Sequence, residues 1–174
     1  MRSGLEDSTR EYCQEITAQM RDAVNFGINS KMIELDNVAD SVSQVSDGSD
    51  TDALKEFLIR KASILEFDAL ILIDGSGTNL VQAVLEGVEP ELQKIIELLS
   101  AQDFTLSDDC VVFFEGQTLF YSAPVDLDDD LTYVLVGIRS KKNMQRIIAS
   151  SAFSGNTLSC IIDIRGESFY LRQI

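Results

Sequence analysis

The sequence predicts an α+β (α/β) fold: one long N-terminal helix, then a five-stranded antiparallel sheet flanked by helices. Three observations carry this. Leu5 to Val45 contains no Pro and a single interior Gly, Gly27, with apolar residues at helical spacing. Short apolar, β-branched runs bounded by turn residues recur between Ala69 and Arg139. Finally, ILIDGSG at Ile71–Gly77 and CIIDIRG at Cys160–Gly166 share an apolar run, an Asp and a Gly three residues after it. They lie roughly 90 residues apart, the spacing of two small related units.

The long helix has Ile16, Met20, Val24, Ile28, Met32, Leu35, Val38, Val42 and Val45 along its apolar side. Ile28, Leu35 and Val42 keep a seven-residue step, as do Val38 and Val45, and Lys31 interrupts the second series. Such a stripe suits packing against a partner helix or a domain. SDGSDTD at Ser46–Asp52 is a turn cluster in which Asp50 or Thr51 caps a second helix, Asp52 to Leu65. Its apolar face carries Leu54, Phe57, Leu58, the stem of Lys61, and Leu65. Strands follow at Ala69–Ile73 and Asn79–Ala83, then a helix at Val88–Ala101 with Pro90 in its first turn.

Three strands come in quick succession: Cys110–Glu115, Thr118–Val125 and Leu131–Arg139. Gly116-Gln117 and the acidic stretch Asp126–Asp130 separate them, connections short enough to make antiparallel neighbours. Lys141–Phe153 reads as a helix, followed by strands at Leu158–Ile164 and Phe169–Leu171 around the turn Arg165-Gly166-Glu167.

Composition excludes several functions. Hydrophobic residues make up 45% of the 174, enough for a real core. With 29 acidic and 14 basic residues the formal net charge is −15, which repels nucleic-acid backbones and anionic lipid headgroups. A cationic or zwitterionic ligand is compatible with it. There is no His, and Cys13, Cys110 and Cys160 are isolated, so His-based triads, Cys-His dyads and the usual zinc sites are absent. No apolar run reaches the roughly 18 residues needed to span a bilayer. The N-terminus MRSGLEDSTREY lacks a signal-peptide core.

The motifs point away from catalysis. Asp74-Gly75-Ser76-Gly77 is followed by Thr78-Asn79 where a phosphate-binding loop needs Lys and Ser or Thr, and the third Gly of a dinucleotide fingerprint is missing. A tight hairpin turn is the better reading. Asp126, Asp128 and Asp130 resemble the start of a calcium loop, but Leu131 stands where Gly is required and no closing Glu follows. Asp108-Asp109 would raise the Cys110 thiol pKa rather than activate it. No catalytic residue, metal site or cofactor is expected.

At this point the chain resembles the extracytoplasmic double Cache (PAS-like) sensor region of bacterial transmembrane receptors. The resemblance rests on the leading helix ending in ELDNVADSVSQ, on ALKEFLIRKASILEFDALILIDGSG, on FYSAPVDLDDDLTYVLVGIRSKKNMQRII and on SGNTLSCIIDIRGES. Within these, Ala123-Pro124-Val125-Asp126 and Val134-Leu135-Val136-Gly137 stand where the distal module of that family closes its sheet. The resemblance implies a helix at 1–48, a membrane-distal PAS/Cache-like module at 49–140, and a linker helix with the first hairpin of a truncated second module at 141–174. It implies a fragment of a membrane-anchored receptor, located outside the cytoplasmic membrane. The parent would feed a diguanylate cyclase, a histidine kinase or a chemotaxis signalling domain.

In PAS-like modules ligands sit between the sheet and the helices and loop before the third strand. The expected lining is therefore Phe104, Phe113, Tyr121, Ser122, Asp126 and Tyr133. Aromatic walls with one carboxylate suit a small cationic or amphipathic molecule. The family's amino-acid-binding subset carries an Arg-x-Trp-Tyr pattern that this chain, with no Trp, lacks, which speaks against an amino-acid ligand. Homodimerisation through the N-terminal helix is also expected. Two rivals are a purely structural dimerisation module of the same fold and a soluble GAF- or longin-like adaptor, which should lack the long leading helix.

Overall fold

The computed structural model describes residues 2–45, 51–74, 78–85, 111–115, 118–128, 131–140, 158–162 and 168–172. Two helices, α1 (Arg2–Val45) and α2 (Thr51–Leu65), precede seven strands. These are β1 (Ala69–Asp74), β2 (Asn79–Val84), β3 (Val111–Glu115), β4 (Thr118–Asp128), β5 (Leu131–Ser140), β6 (Leu158–Ile162) and β7 (Ser168–Arg172). The predicted helices Val88–Ala101 and Lys141–Phe153 lie outside the described residues. The chain divides into one compact unit, Lys31–Lys141, and a second formed by Met1–Ser30 with Lys142–Ile174.

In the larger unit β1 to β5 form one sheet in the order β2-β1-β5-β4-β3, every pairing antiparallel. The expected α+β layout of long helix and five-stranded antiparallel sheet is therefore present. Central β5 pairs with β1 on one side and β4 on the other. β1 and β5 are buried on both faces, which is why ALILI and VLVGI read as unbroken apolar runs instead of alternating.

Ladder register sorts the two faces. One carries Ala69, Ile71, Ile73, Phe120, Val134, Val136 and Ile138, a single packed cluster joined by Val84. The other carries Leu70, Leu72, Leu119, Tyr121, Ala123, Val125, Leu135, Gly137 and Arg139, all buried. Helix α1 meets this second face, since Leu35 reaches within 3.2 Å of a Cβ placed on Gly137.

The inward side of α1 is Leu35, Val38, Ala39 and Val42, all buried. Two members of the seven-residue seam, Leu35 and Val42, are thus consumed inside the chain's own domain and are not offered to a partner helix. Of the two uses the stripe allowed, packing on a domain is the one seen for these residues; a periodic stripe records burial but not against what. On α2 the buried residues are Leu54, Leu58 and Ala62, while Phe57 and Lys61 sit at the margin with the ammonium 5.4 Å from the ring centroid.

No Gly ends α2. Glu66 takes the left-handed conformation instead (φ 58°), and the Phe67 N–H donates to the Ala62 carbonyl at 3.0 Å. This is a Schellman-type stop on a residue that disfavours it. Asp68 then fixes the sheet corner. Its N–H donates to the Ile138 carbonyl at 2.8 Å, its carbonyl accepts from the Leu85 N–H at 3.1 Å, and its carboxylate accepts from the Ser140 N–H at 2.5 Å.

β1 and β2 form the expected hairpin. The Asp74 N–H donates to the Thr78 carbonyl at 2.9 Å, and the Asp74 carboxylate accepts from the Thr78 N–H at 2.8 Å. The acidic stretch is shorter than a loop from Asp126 to Asp130. β4 continues to pair with β5 at Asp126–Thr132 and, past an irregularity, at Asp128–Leu131. Ladder pairing here overrides the poor strand propensity of Asp. In the second unit β6 and β7 form an antiparallel hairpin in which Cys160 pairs with Tyr170.

Candidate ligand-binding site

Of the six residues expected to line a pocket, Phe104 lies outside the described residues. Phe113 occupies the β3 position in register with Phe120 on β4. The other four are split between faces. Strand alternation places Ser122 and Asp126 in the rows of Val136 and Thr132, on the side of the apolar Phe120–Ile138 cluster. Tyr121 and Tyr133 stand in the rows of Gly137 and Val125, on the side that meets α1. Ser122 is buried, Asp126 is exposed and Tyr133 is half-buried.

The Ser122–Asp126 side combines a buried apolar cluster with one buried hydroxyl residue and one exposed carboxylate. Among the described residues no cluster of three or more His, Cys, Asp or Glu could hold a metal ion.

The opposite side holds a polar cluster that the sequence reading did not place in a site. Tyr121 is fully buried, and its ring meets Phe67 edge-on with centroids 5.7 Å apart and planes at 85°. Arg139 is 1% exposed; its Nε donates to the Glu66 carbonyl at 3.1 Å and its Nη2 lies 3.7 Å from the Glu66 carboxylate. The Tyr121 hydroxyl and Arg139 Nη1 are both buried without a hydrogen-bond partner. Burial pushes the Tyr121 hydroxyl up from 10.0 to about 12. Arg139, close by but short of a well-formed hydrogen bond, pulls it down, and Glu34 on α1 pushes it further up.

On α1, Lys31 Nζ donates to Glu34 Oε2 at 2.5 Å and to the Leu65 carbonyl at 2.8 Å, with the ammonium 6.0 Å from the Phe67 centroid. A cation at the last carbonyls of α2 complements that helix's dipole. Two signals were available in the sequence. Lys31 breaks an apolar series, and Arg139 is a lone base ending the run TYVLVGI.

In the smaller unit a cavity of about 430 Å³ is lined on α1 by Arg10, Cys13, Gln14, Thr17, Ala18 and Arg21. Tyr121, Ser122, Asp126 and Tyr133 do not border it.

No protein-family model matches the sequence, and no curated protein matches it significantly. Solved structures do match. The sensory domain of the Campylobacter jejuni chemoreceptor Tlp3, with isoleucine bound, aligns over 96% of this chain and 72% of its own at a TM-score of 0.69 and 14% identity. The ligand-binding domain of the Pseudomonas aeruginosa PAO1 amino-acid chemoreceptor PctC, in complex with GABA, aligns over 95% and 76% at 0.63 and 20%. That of Pseudomonas fluorescens CtaA, in complex with L-isoleucine, aligns over 99% and 71% at 0.64 and 12%.

The chain shares its fold with these chemoreceptor ligand-binding domains. Identities this low establish architecture and leave the ligand to be argued from residues. Among the described residues, no helix is long and apolar enough to cross a membrane.

Proposed function

We propose that the chain is the extracytoplasmic ligand-sensing region of a bacterial transmembrane receptor of the double Cache type. On this reading it is not itself an enzyme. It binds a small molecule and relays the event through α1 to a diguanylate cyclase, histidine kinase or chemotaxis effector. The observation that carries the reading is the alignment of nearly the whole chain with chemoreceptor ligand-binding domains. A helix of 44 residues leading into the sheet argues against a GAF- or longin-like adaptor.

The proposed ligand carries a positively charged nitrogen and an apolar or compact body. Asp126 supplies the countercharge, Ser122 a polar contact, and the Phe120–Ile138 cluster the wall. Phe104 and Phe113 remain assigned to the same pocket, while Tyr121 and Tyr133 act from the other face of the sheet. Isoleucine and GABA, held by two of the similar domains, each carry such a nitrogen. An ammonium compound is therefore the first class to test, although the chain lacks the Trp of the amino-acid-binding subset.

The test is a thermal-shift and calorimetric screen of the intact chain against amines, amino acids and quaternary ammonium compounds. Binding by at least one, weakened ten-fold or more in Asp126→Ala, is expected. Binding undiminished in that variant sinks the role of Asp126, and no response to any cation or zwitterion sinks the ligand class.

A second reading, dimerisation, is favoured by a different observation. Tyr12, Phe26 and Ile33 are exposed on α1 and fall at multiples of seven residues, away from the buried seam.

A further inference from the structure

We propose that Glu34, Tyr121 and Arg139 form a two-position latch between α1 and the sheet, with the Glu34 carboxylate as the moving group. In the position seen, Glu34 accepts from Lys31 on its own helix at 2.5 Å. In the other it turns to the sheet and accepts from the Tyr121 hydroxyl and Arg139 Nη1. It supplies the sensing role with a mechanical step, yet its test uses no ligand, so either idea can fail alone.

The argument starts from the two unpartnered donors. Buried polar groups are almost always hydrogen-bonded, and those that are not call for an explanation. Here both orphans belong to side chains essentially closed to solvent, Tyr121 at 0% and Arg139 at 1% exposure. They are diagonal neighbours, because Tyr121 pairs with Gly137 and Arg139 is two residues along the same strand. Both stand on the face that α1 covers.

The Arg139 guanidinium lies close to the Tyr121 hydroxyl without forming a well-aligned hydrogen bond, and α1 carries a carboxylate within electrostatic reach of that hydroxyl. Glu34 adjoins Leu35, which packs at Gly137, and its charge acts on the Tyr121 hydroxyl. A carboxylate accepts several hydrogen bonds and suits both a phenol and a guanidinium. Lys31 is not orphaned when Glu34 leaves, because the Leu65 carbonyl still accepts from it at 2.8 Å. Arg139 likewise keeps the Glu66 carbonyl. Glu34 thus exchanges its present contacts for two donors while Lys31 and Arg139 keep carbonyl partners, the arrangement of an element that a small shift of α1 can tip.

The test is a stability comparison on the full chain. In the natural sequence Tyr121→Phe removes a buried hydroxyl with no partner, so folding should not weaken. Lys31→Met releases Glu34 toward the sheet. In that background Tyr121→Phe should weaken folding by about five-fold or more. An equal effect of Tyr121→Phe in both backgrounds overturns the latch. So does a crystal structure with an ordered water bridging the Tyr121 hydroxyl and Arg139 Nη1.

Should Lys31→Met fail to fold, relaxation dispersion at the Leu35 and Gly137 amides serves instead. Exchange in the natural chain that Glu34→Gln abolishes supports the latch, and flat profiles in the natural chain overturn it.

Discussion

Gly137 faces Phe67 so closely that a Cβ on it would lie 2.7 Å from the ring edge at Cε1, and 3.2 Å from Leu35 Cδ1. Phe67 is fully buried and in contact with Tyr121, so it has little room to yield. The glycine is what lets helix, connector and central strand converge at one point. Gly137→Ala should lower unfolding free energy by about 1–3 kcal/mol through overpacking. Urea denaturation checks this, and an unchanged midpoint would mean that the ring relocates.

Asp68 joins three strand ends, and its carboxylate is the partner of the Ser140 N–H. Asp68→Ala removes that acceptor and keeps the backbone bonds. The expected loss is about 1–3 kcal/mol, the cost of leaving a partly buried donor unpaired. Amide hydrogen exchange at Ser140 should accelerate together with the loss. A slow Ser140 amide in the variant would show that another acceptor has replaced it.

Much of this architecture was legible because its elements are bounded by turn chemistry and carry their own periodicity. The strand from Ala69 and the hairpin at Asp74–Thr78 follow from an apolar run meeting Asp and Gly. The β1–β5 pairing was not derivable that way, since it joins segments more than 50 residues apart and no local signal specifies it. The site was only partly legible for a different reason. Tyr121 and Ser122 are adjacent in a strand and so face opposite sides; grouping them in one pocket overlooked a period that the sequence already displayed. Phe104 lies outside the described residues, so its place in the pocket remains a proposal. The polar cluster at Arg139 was hidden because burial of a lone base depends on partners 73 residues away, such as the Glu66 carbonyl.

Tyr121 gives the fold an alkaline limit. Its hydroxyl is pushed from 10.0 to about 12 by burial. Between those values the unfolded chain gives up this proton while the folded chain keeps it. Stability is therefore fully present below pH 10 and falls as pH rises toward 12. Two pH units correspond to a loss of about 3 kcal/mol at most. Other groups titrate in the same window, so the readout is the difference between the natural chain and Tyr121→Phe. The natural chain should lose stability more steeply from pH 10 upward, and parallel curves would remove Tyr121 from the account.

The two sides of α1 should respond oppositely to truncation. Leu35 is fully buried and reaches the Gly137 contact, so Leu35→Ala should cost about 2–5 kcal/mol through lost burial and the cavity left behind. Phe26 and Ile33 are 76% and 64% exposed, and Phe26→Ser with Ile33→Ser should leave monomer stability within about 0.5 kcal/mol per site. Sedimentation then separates the two uses of the helix. If the exposed seam pairs two copies, the double variant sediments as a monomer at concentrations where the natural chain is a dimer, and Leu35→Ala, where it still folds, does not. If both natural and variant chains are monomers, the helix serves one domain alone. Its outer apolar residues are then isolated side chains of the kind that need no partner.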